Sequence, residues 1–340
     1  MAHALIVGIV GTLGLSALPI SAAAPALLAE QAPAGVTSGA IAVERPQVPL
    51  PTQPAVAADA LHAIPTRLDR IGRIVVPVMV NGRGPFQFIL DTGANSTVIS
   101  PHLAAALGLT VDKGQAVVMS GVTGSTSVPT VEVADIRTRG LDLAGRRLAV
   151  SDASGVGTDG VLGVDALAEK AVLVDFNNDR VEVIDAPEHH PSDRLVRVPA
   201  KLRLGNLLIV DALVGTHKVK AVIDTGGQRT LGNTVLYEML GYRHEIAERE
   251  AAADVIGATD ARQAGERHIV HSIKIGEDMR VANLVVTFGD FYIFKLWNLR
   301  SQPALVIGMD MIGTLGEFGV DYFRREVQFR AGQQIRRRRR

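Results

Sequence analysis

The sequence predicts a mainly β protein in which one structural unit is used twice. Apolar weight falls on Val, Ile, Leu and Ala with only 4% aromatic residues, and long stretches alternate β-branched with polar residues between glycine-rich breaks. Four sequence blocks recur in the same order in the two halves of the chain, which is the mark of an internal duplication. Between the halves lies a short polar link, residues 187–194.

Composition limits the alternatives. A chain of 340 residues can bury one or two substantial cores. At 47% apolar and 21% charged it is too polar for a multi-span membrane protein. Lys+Arg and Asp+Glu balance at 35 each, so no global field points to nucleic acid or anionic lipid. The absence of cysteine excludes disulfides, a cysteine nucleophile and thiolate metal ligands.

Residues 1–24 are nearly all apolar or small, and Ser21-Ala22-Ala23-Ala24 offers small residues to a signal peptidase, although no Lys or Arg precedes the apolar run. A cleaved secretory signal, an uncleaved anchor and an unstructured start all fit this pattern. The first two place the rest of the chain outside the cytoplasm, periplasmic or secreted, and the anchor adds membrane association through this segment. Residues 25–64 are rich in Ala and Pro and carry too few large apolar side chains to fold alone, so they read as a tether or pro-segment. Two repeats follow, at residues 65–186 and 195–331, and a basic tail closes the chain at 332–340. Its run Arg336 to Arg340 reads as a solvated frayed end or as a contact for an anionic surface.

Each repeat opens with a strand, Ile74 to Val80 or Leu207 to Val214, then a polar turn and a returning strand. The returning strands end in Leu90-Asp91-Thr92-Gly93 and Ile223-Asp224-Thr225-Gly226. Helix-like pieces follow at Pro101 to Leu107 and Asn233 to Leu240. Later come Val161-Leu162-Gly163-Val164-Asp165 and Val306-Ile307-Gly308-Met309-Asp310. The closing hairpins begin at Asp175-Phe176 and Asp321-Tyr322, and the same offset of six leads from each Asp to Val181 or Val327. Asp175 and Asp321 read as turn residues, and Asn177-Asn178-Asp179 suits a turn that needs positive φ.

One Asp-Thr-Gly is a weak signal. Two, each at the end of an apolar strand and at the same place in a repeat, are much stronger. A pseudo-twofold arrangement would bring the two strand ends, and so Asp91 and Asp224, face to face. Two carboxyls in contact share a proton and titrate as a pair, one able to activate water and the other to protonate a leaving group. That is the equipment for hydrolysing an amide with neither a metal nor a covalent intermediate. Gly93 and Gly226 allow tight turns, and the hydroxyls of Thr92 and Thr225 can hydrogen-bond across the interface.

With these motifs on view, residues 65–330 resemble the aspartic peptidase superfamily of pepsin and the retroviral proteases. The resemblance rests on Asp91-Thr92-Gly93-Ala94 with Ser96-Thr97-Val98-Ile99 behind it, on Asp224-Thr225-Gly226, and on Leu162-Gly163 and Ile307-Gly308. Individual segments look more like the retroviral subunit, yet both halves lie in one chain, as in pepsin, and the chain resembles the retropepsin-like proteins of bacteria with signal sequences. The resemblance implies a bilobal acid-protease-like fold of two homologous closed β-barrel lobes, with the late glycine elements threaded behind the catalytic loops. It also implies a protein or peptide substrate in a cleft between the lobes and endopeptidase chemistry at Asp91 and Asp224. No cofactor is implied, and a dimer is not required, since both aspartates lie in one chain. At the second loop Gly227 stands where the family has Ala, Ser or Thr, and Arg229 follows. That arginine could disturb the pair or neutralise a nearby acid.

A family member of this kind closes a flap over its substrate. The first-half candidate is Met119 to Ser127, with Ser120, Gly121, Val122, Thr123 and Gly124 as the substrate-binding stretch, although such a segment is also an ordinary mobile hairpin tip. A less distinct second candidate lies around Gly257 to Ala261. Phe288, Phe291, Tyr292, Phe294 and Trp297 read as core or lobe interface rather than substrate pocket. A peptide-binding or regulatory module of the same fold, catalytically weak or inactive, and a structural envelope protein that attaches through its Arg-rich tail are the competing functions. The histidines, including His189-His190, lack the spacing of a zinc site, Gly11-Thr12-Leu13-Gly14 lacks the phosphate-loop lysine, and no Gly-x-Ser-x-Gly elbow occurs.

Overall fold

The structure, a computed structural model, describes residues 5–6, 11–13, 63–65, 67–69, 72–152, 158–188, 192–203, 205–242, 252–259 and 261–331. The rest of residues 1–24, the 25–62 stretch, His189-His190 and the Arg336 to Arg340 tail lie outside the described residues. Four short strands come first: β1 (Leu5–Ile6), β2 (Gly11–Leu13), β3 (Ala63–Pro65) and β4 (Arg67–Leu68). The first half continues with β5 (Ile74–Val80), β6 (Arg83–Leu90), β7 (Val98–Ile99), α1 (Pro101–Leu107), β8 (Asp112–Gly121), β9 (Gly124–Thr138), β10 (Leu141–Val150), β11 (Gly160–Leu162), α2 (Val164–Leu167), β12 (Lys170–Asp175) and β13 (Arg180–Asp185). The second half runs β14 (Val196–Arg203), β15 (Leu207–Val214), β16 (His217–Ile223), β17 (Leu231–Gly232), α3 (Thr234–Met239), β18 (Ala252–Ile256), β19 (Arg262–Ile275) and β20 (Met279–Phe288). It ends with α4 (Tyr292–Leu296), β21 (Ala304–Ile307), α5 (Met309–Ile312), β22 (Leu315–Asp321) and β23 (Glu326–Ala331).

The protein is mainly β, as its composition predicts. In the first half the strands lie in the order β8-β9-β10-β7-β11-β6-β5-β4, and in the second β18-β19-β20-β17-β21-β16-β15-β14. Position for position the two orders run in step. A further pairing, β5 with β9 and β15 with β19, folds each sheet back towards its own start. The second sheet then continues through β23-β22-β12-β13-β3, so the two closing hairpins lie edge to edge, with Ala171 opposite Asp321 and Asp175 opposite Glu317. This common floor ties the halves together. One apolar core runs through both, containing Phe88, Leu162 and Val174 from the first with Ile223, Ile307 and Phe318 from the second.

Local chemistry explains the turns. Asn81 and Gly82 both take positive φ, 51° and 68°, the pairing that a two-residue hairpin turn between twisted strands demands. Along β6 burial rises from exposed at Arg83 to complete at Leu90, so the strand drives inward towards residue 91. The turns after β12 and β22 are fixed by aspartate: Asp175 Oδ1 accepts from the Asn177 and Asn178 N–H groups, and Asp321 Oδ1 from that of Arg324.

The two matched helices differ in how firmly they begin. Ser100 caps α1 by accepting from Leu103 N at 3.0 Å, with Pro101 in the first turn and Gly108 left-handed after the end. Asn233 caps α3 through Leu236 N at 3.0 Å and also accepts from Ala304 N and donates to the carbonyls of Leu299 and Gln302. Replacing Ser100 with alanine should therefore cost about 1 kcal/mol, and Asn233→Ala about 3 kcal/mol, because it also orphans buried backbone groups. Denaturant unfolding of the two variants side by side measures that difference.

The two short strands described within residues 1–24 do not stand apart. β1 runs parallel to β8, Leu5 opposite Met119 and Ile6 opposite Ser120, and β2 runs antiparallel to β18, Gly11 opposite Ile256 and Leu13 opposite Asp254. The outer edges of two hairpins, one from each half, thus each receive a strand from the same short stretch of chain.

Candidate active site

Asp91 and Asp224 each sit one residue past a strand end. Asp91 N donates to Leu162 O and Asp224 N to Ile307 O, both at 3.0 Å, so each loop is carried by a parallel neighbour, β11 or β21. These neighbours also run antiparallel to β7 and β17, which threads each late glycine element behind its loop. The glycines there permit close passage: a Cβ on Gly163 would fall 2.6 Å from the Ser96 carbonyl carbon, and one on Gly308 2.7 Å from that of Arg229.

The structure brings the two loops into contact. Thr92 N donates to Thr225 Oγ1 at 3.0 Å and Thr225 N to Thr92 Oγ1 at 3.1 Å. Each hydroxyl then donates onward into the opposite half, Thr92 to Ile223 O at 2.9 Å and Thr225 to Leu90 O at 2.7 Å. All four residues of this cross-link are buried. The glycines that follow face the opposite carboxyl: a Cβ on Gly93 would lie 2.5 Å from Asp224 Cγ, and one on Gly226 would fall within the Asp91 carboxyl. Only glycine lets the two loops approach this closely.

The carboxyls are hydrogen-bonded through one oxygen each. Asp91 Oδ1 accepts from Gly93 N at 2.7 Å, and Asp224 Oδ1 from Gly226 N at 3.0 Å and Gly227 N at 2.9 Å. Their Oδ2 atoms are buried and receive no hydrogen bond from the surrounding loops. Burial pushes Asp91 up to about 6, against the pull of the Gly93 N–H, Asp224 and Arg73. Asp224 is raised well above the ordinary carboxylate range, by burial and then by the charge of Asp91. Two buried carboxyls in contact hold a proton between them to a higher pH than either would alone.

Behind each loop lies a matched brace. Thr97 Oγ1 donates to Asp165 at 2.8 Å and accepts from Gly163 N at 3.2 Å; Thr230 Oγ1 donates to Asp310 at 2.7 Å and accepts from Gly308 N at 3.2 Å. Reading the sequence for chemistry overlooks these four, although their signal is present: a threonine six residues past each aspartate and an aspartate two past each late glycine. Ala94 and Gly227 occupy corresponding places, their carbonyls accepting from Val164 N and Met309 N at 2.8 Å. Arg229 is exposed, and its charge acts on Asp310.

Two hairpin tips, one from each half, meet. Ser120 and Gly121 end β8, Val122 and Thr123 form the tip, and Gly124 begins β9. The segment around Gly257 to Ala261 is the tip between β18 and β19. Gly257 N donates to Thr123 Oγ1 at 3.2 Å, joining the tips. Val122 is packed into a cluster otherwise built from the second half, with Phe291, Phe294 and Trp297, while Ala258 joins Ile89, Val98 and Met119 of the first. Each tip crosses to the opposite half. The first is pinned further where Ile293 N donates to Val122 O and Ser125 Oγ donates to Tyr292 Oη at 2.9 Å. The aromatic cluster is therefore mostly core, with Tyr292 at its half-buried rim.

Residues 76–166 match the aspartyl protease family. The aspartyl protease match spans β5 to α2 and so takes in Asp91, the β8–β9 hairpin and Gly163. It supports a relation to that superfamily and, in general terms, a hydrolase of peptide bonds. Asp224 and the rest of the second half lie beyond the matched residues. No curated protein matches the chain. Among the described residues no helix is long and apolar enough to cross a membrane, and no cluster of three or more His, Asp or Glu is arranged to hold a metal.

Proposed function

We propose that the chain is an aspartic endopeptidase of duplicated, two-lobed acid-protease-like fold, in which a water activated between Asp91 and Asp224 hydrolyses a peptide bond. The observation that carries this reading is the reciprocal approach of the two loops, which sets two buried carboxyls, each with an unbonded oxygen, at one point. The ionised carboxyl takes a proton as water adds to the carbonyl carbon, and the protonated one gives its proton to the carbonyl oxygen. Collapse of the tetrahedral intermediate breaks the C–N bond, returns the hydroxyl proton to the second carboxylate and sends the first proton to the amine. Thr92, Gly93, Ala94, Thr225, Gly226 and Gly227 hold the loops, and Ser120 to Gly124 cover an extended substrate. The hairpin edges that receive β1 and β2 support a groove for extended backbone. Both carboxyls come from one chain, so a monomer suffices, and we place the enzyme outside the cytoplasm on the strength of its leader.

Cleavage of a mixed peptide library from acidic to neutral pH tests the reading. Products lost in Asp91→Asn and blocked by a statine-type inhibitor support it. A folded protein that cleaves nothing at any pH overturns it in favour of a binding module. The same pair sets a stability signature. Because both carboxyls titrate above their unfolded value, their contribution to stability is complete below about pH 4. It is lost as pH rises through about 6, where Asp91 ionises within the fold. Exposed carboxylates such as Asp211, lowered by Lys220, act in the opposite sense, so the comparison is with the Asp91→Asn/Asp224→Asn double variant. Tm of the wild type should fall relative to that variant between pH 4 and 7.

A further inference from the structure

We propose that Arg73 is the positioning residue that makes the pair unequal, holding Asp91 as the carboxylate that takes the proton from water and leaving Asp224 as the partner that carries one. The assignment takes its chemistry from the peptidase reading above, but its test does not need peptide cleavage.

The loops are alike in most respects: their threonine cross-bonds are reciprocal, their glycines approach the opposite carboxyl, and their braces match residue for residue. They differ at the carboxyls, where Asp224 Oδ1 accepts from both Gly226 N and Gly227 N and Asp91 Oδ1 from Gly93 N, a difference that by itself favours the anion at Asp224 and that a charge near Asp91 has to outweigh. A difference appears in the strands that lead to them. In the β5–β6 ladder Val78 lies opposite Phe86, Val76 opposite Phe88 and Val75 opposite Ile89. Continued two steps past its last pair, that register leads to Arg73 on one strand and Asp91 on the other. In the β15–β16 ladder, where Ile209 lies opposite Val222, the same continuation leads to Leu207 and Asp224. The chain thus approaches one aspartate with a guanidinium-bearing residue at the matching position and the other with an aliphatic one.

Arg73 is fixed in place and 3% exposed. Its Nε donates to Asp69 Oδ2 at 2.7 Å, and its backbone N donates to Asp69 Oδ1 at 2.9 Å. The side chain of Asp69 is the more exposed member of the pair, 14% against 4%, so water screens its charge better than that of the guanidinium. A buried positive charge beside one of two coupled carboxyls favours the anion at that site. Asp224 faces Asp91 from the other half, and the charge of Asp91 acts in turn on Tyr322, which follows β22. The Tyr322 hydroxyl is buried without a hydrogen-bond partner, and burial, then the charge of Asp91, keeps it protonated. At the corresponding place in the first half stands Phe176.

The test is a carboxyl titration of the full chain, labelled with ¹³C at the aspartate γ-carbon and followed by NMR. Asp91→Asn and Asp224→Asn identify the two signals. In Arg73→Met the Asp91 midpoint should rise by roughly one pH unit or more. Arg73→Lys should restore most of it. Asp69→Asn, which keeps the Oδ1 acceptor and removes the neutralising charge, should move the midpoint down. A group that merely packs would not produce shifts of opposite sign from these neighbours. An Asp91 midpoint unmoved in folded Arg73→Met overturns the proposal. Should that variant not fold, an unmoved midpoint in Asp69→Asn overturns it. If the wild type cleaves no peptide, the peptidase reading fails while the titration still decides the role of Arg73. If it does cleave, the acid limb of kcat/KM should follow the Asp91 midpoint upward in Arg73→Met with KM unchanged.

Discussion

Asp91→Asn and Asp224→Asn should each lower kcat by roughly a thousandfold or more, since each removes one of the two proton transfers. Initial rates on a peptide chosen from the library, with active protein quantified by folding rather than by turnover, measure the loss. The two single variants should be nearly as impaired as the double one, because a shared proton is a property of the pair. Full turnover in either single variant would sink the shared-proton mechanism. The same substitutions should raise Tm above about pH 6, where the wild type carries buried charge in this pair and the variants carry less. Loss of rate together with a gain in stability would separate a functional role from a folding defect.

Thr225→Val and Thr92→Val should be strongly destabilising while leaving both carboxyls in place. Valine matches threonine in shape, so the loss is confined to the hydroxyl. In Thr225→Val the Leu90 carbonyl and the Thr92 N–H lose their partner; in Thr92→Val the Ile223 carbonyl and the Thr225 N–H do. Orphaning a buried polar group costs about 1–3 kcal/mol, so each substitution should cost roughly 2–6 kcal/mol. That is a large share of the 5–15 kcal/mol typical of a whole domain. Denaturant unfolding checks the size, and Thr225→Ser, which keeps the oxygen, should stay near wild type. Equal stability of Thr225→Val and Thr225→Ser would remove the cross-link from the account of how the halves are joined.

The mainly β character was legible because β-branched alternation is a local property, written along each strand. The α1 boundaries were legible for the same reason, with a capping serine, a first-turn proline and a following glycine in the local sequence. Arg73 was not. Its place depends on a ladder register, and counting outward from the Asn81-Gly82 turn, where Val80 faces Arg83, puts Gly72 opposite Asp91. An irregularity between Val78 and Val80 moves the register by one residue and installs Arg73 instead. The crossing of the hairpin tips was hidden differently. Val122 and Ala258 are small residues in glycine-rich turns, and nothing near them in sequence names the distant cluster that receives each one. The side-by-side packing of β12 and β22 likewise joins segments that lie some 150 residues apart, beyond the reach of any periodicity.

The exchanged tips have a thermodynamic consequence. With Val122 seated in one half and Ala258 in the other, and Thr123 bonded to Gly257, neither hairpin can lift without disturbing the seat of its twin. On the peptidase reading a substrate must part both tips together, and it then binds with its intrinsic affinity multiplied by the fraction of chains whose tips are parted. Each 1.4 kcal/mol of latch weakens apparent binding tenfold, whatever the quality of the pockets beneath. Short peptides that grip poorly in a direct binding experiment would therefore report the latch rather than the groove, and loosening Val122 would improve all of them by the same factor.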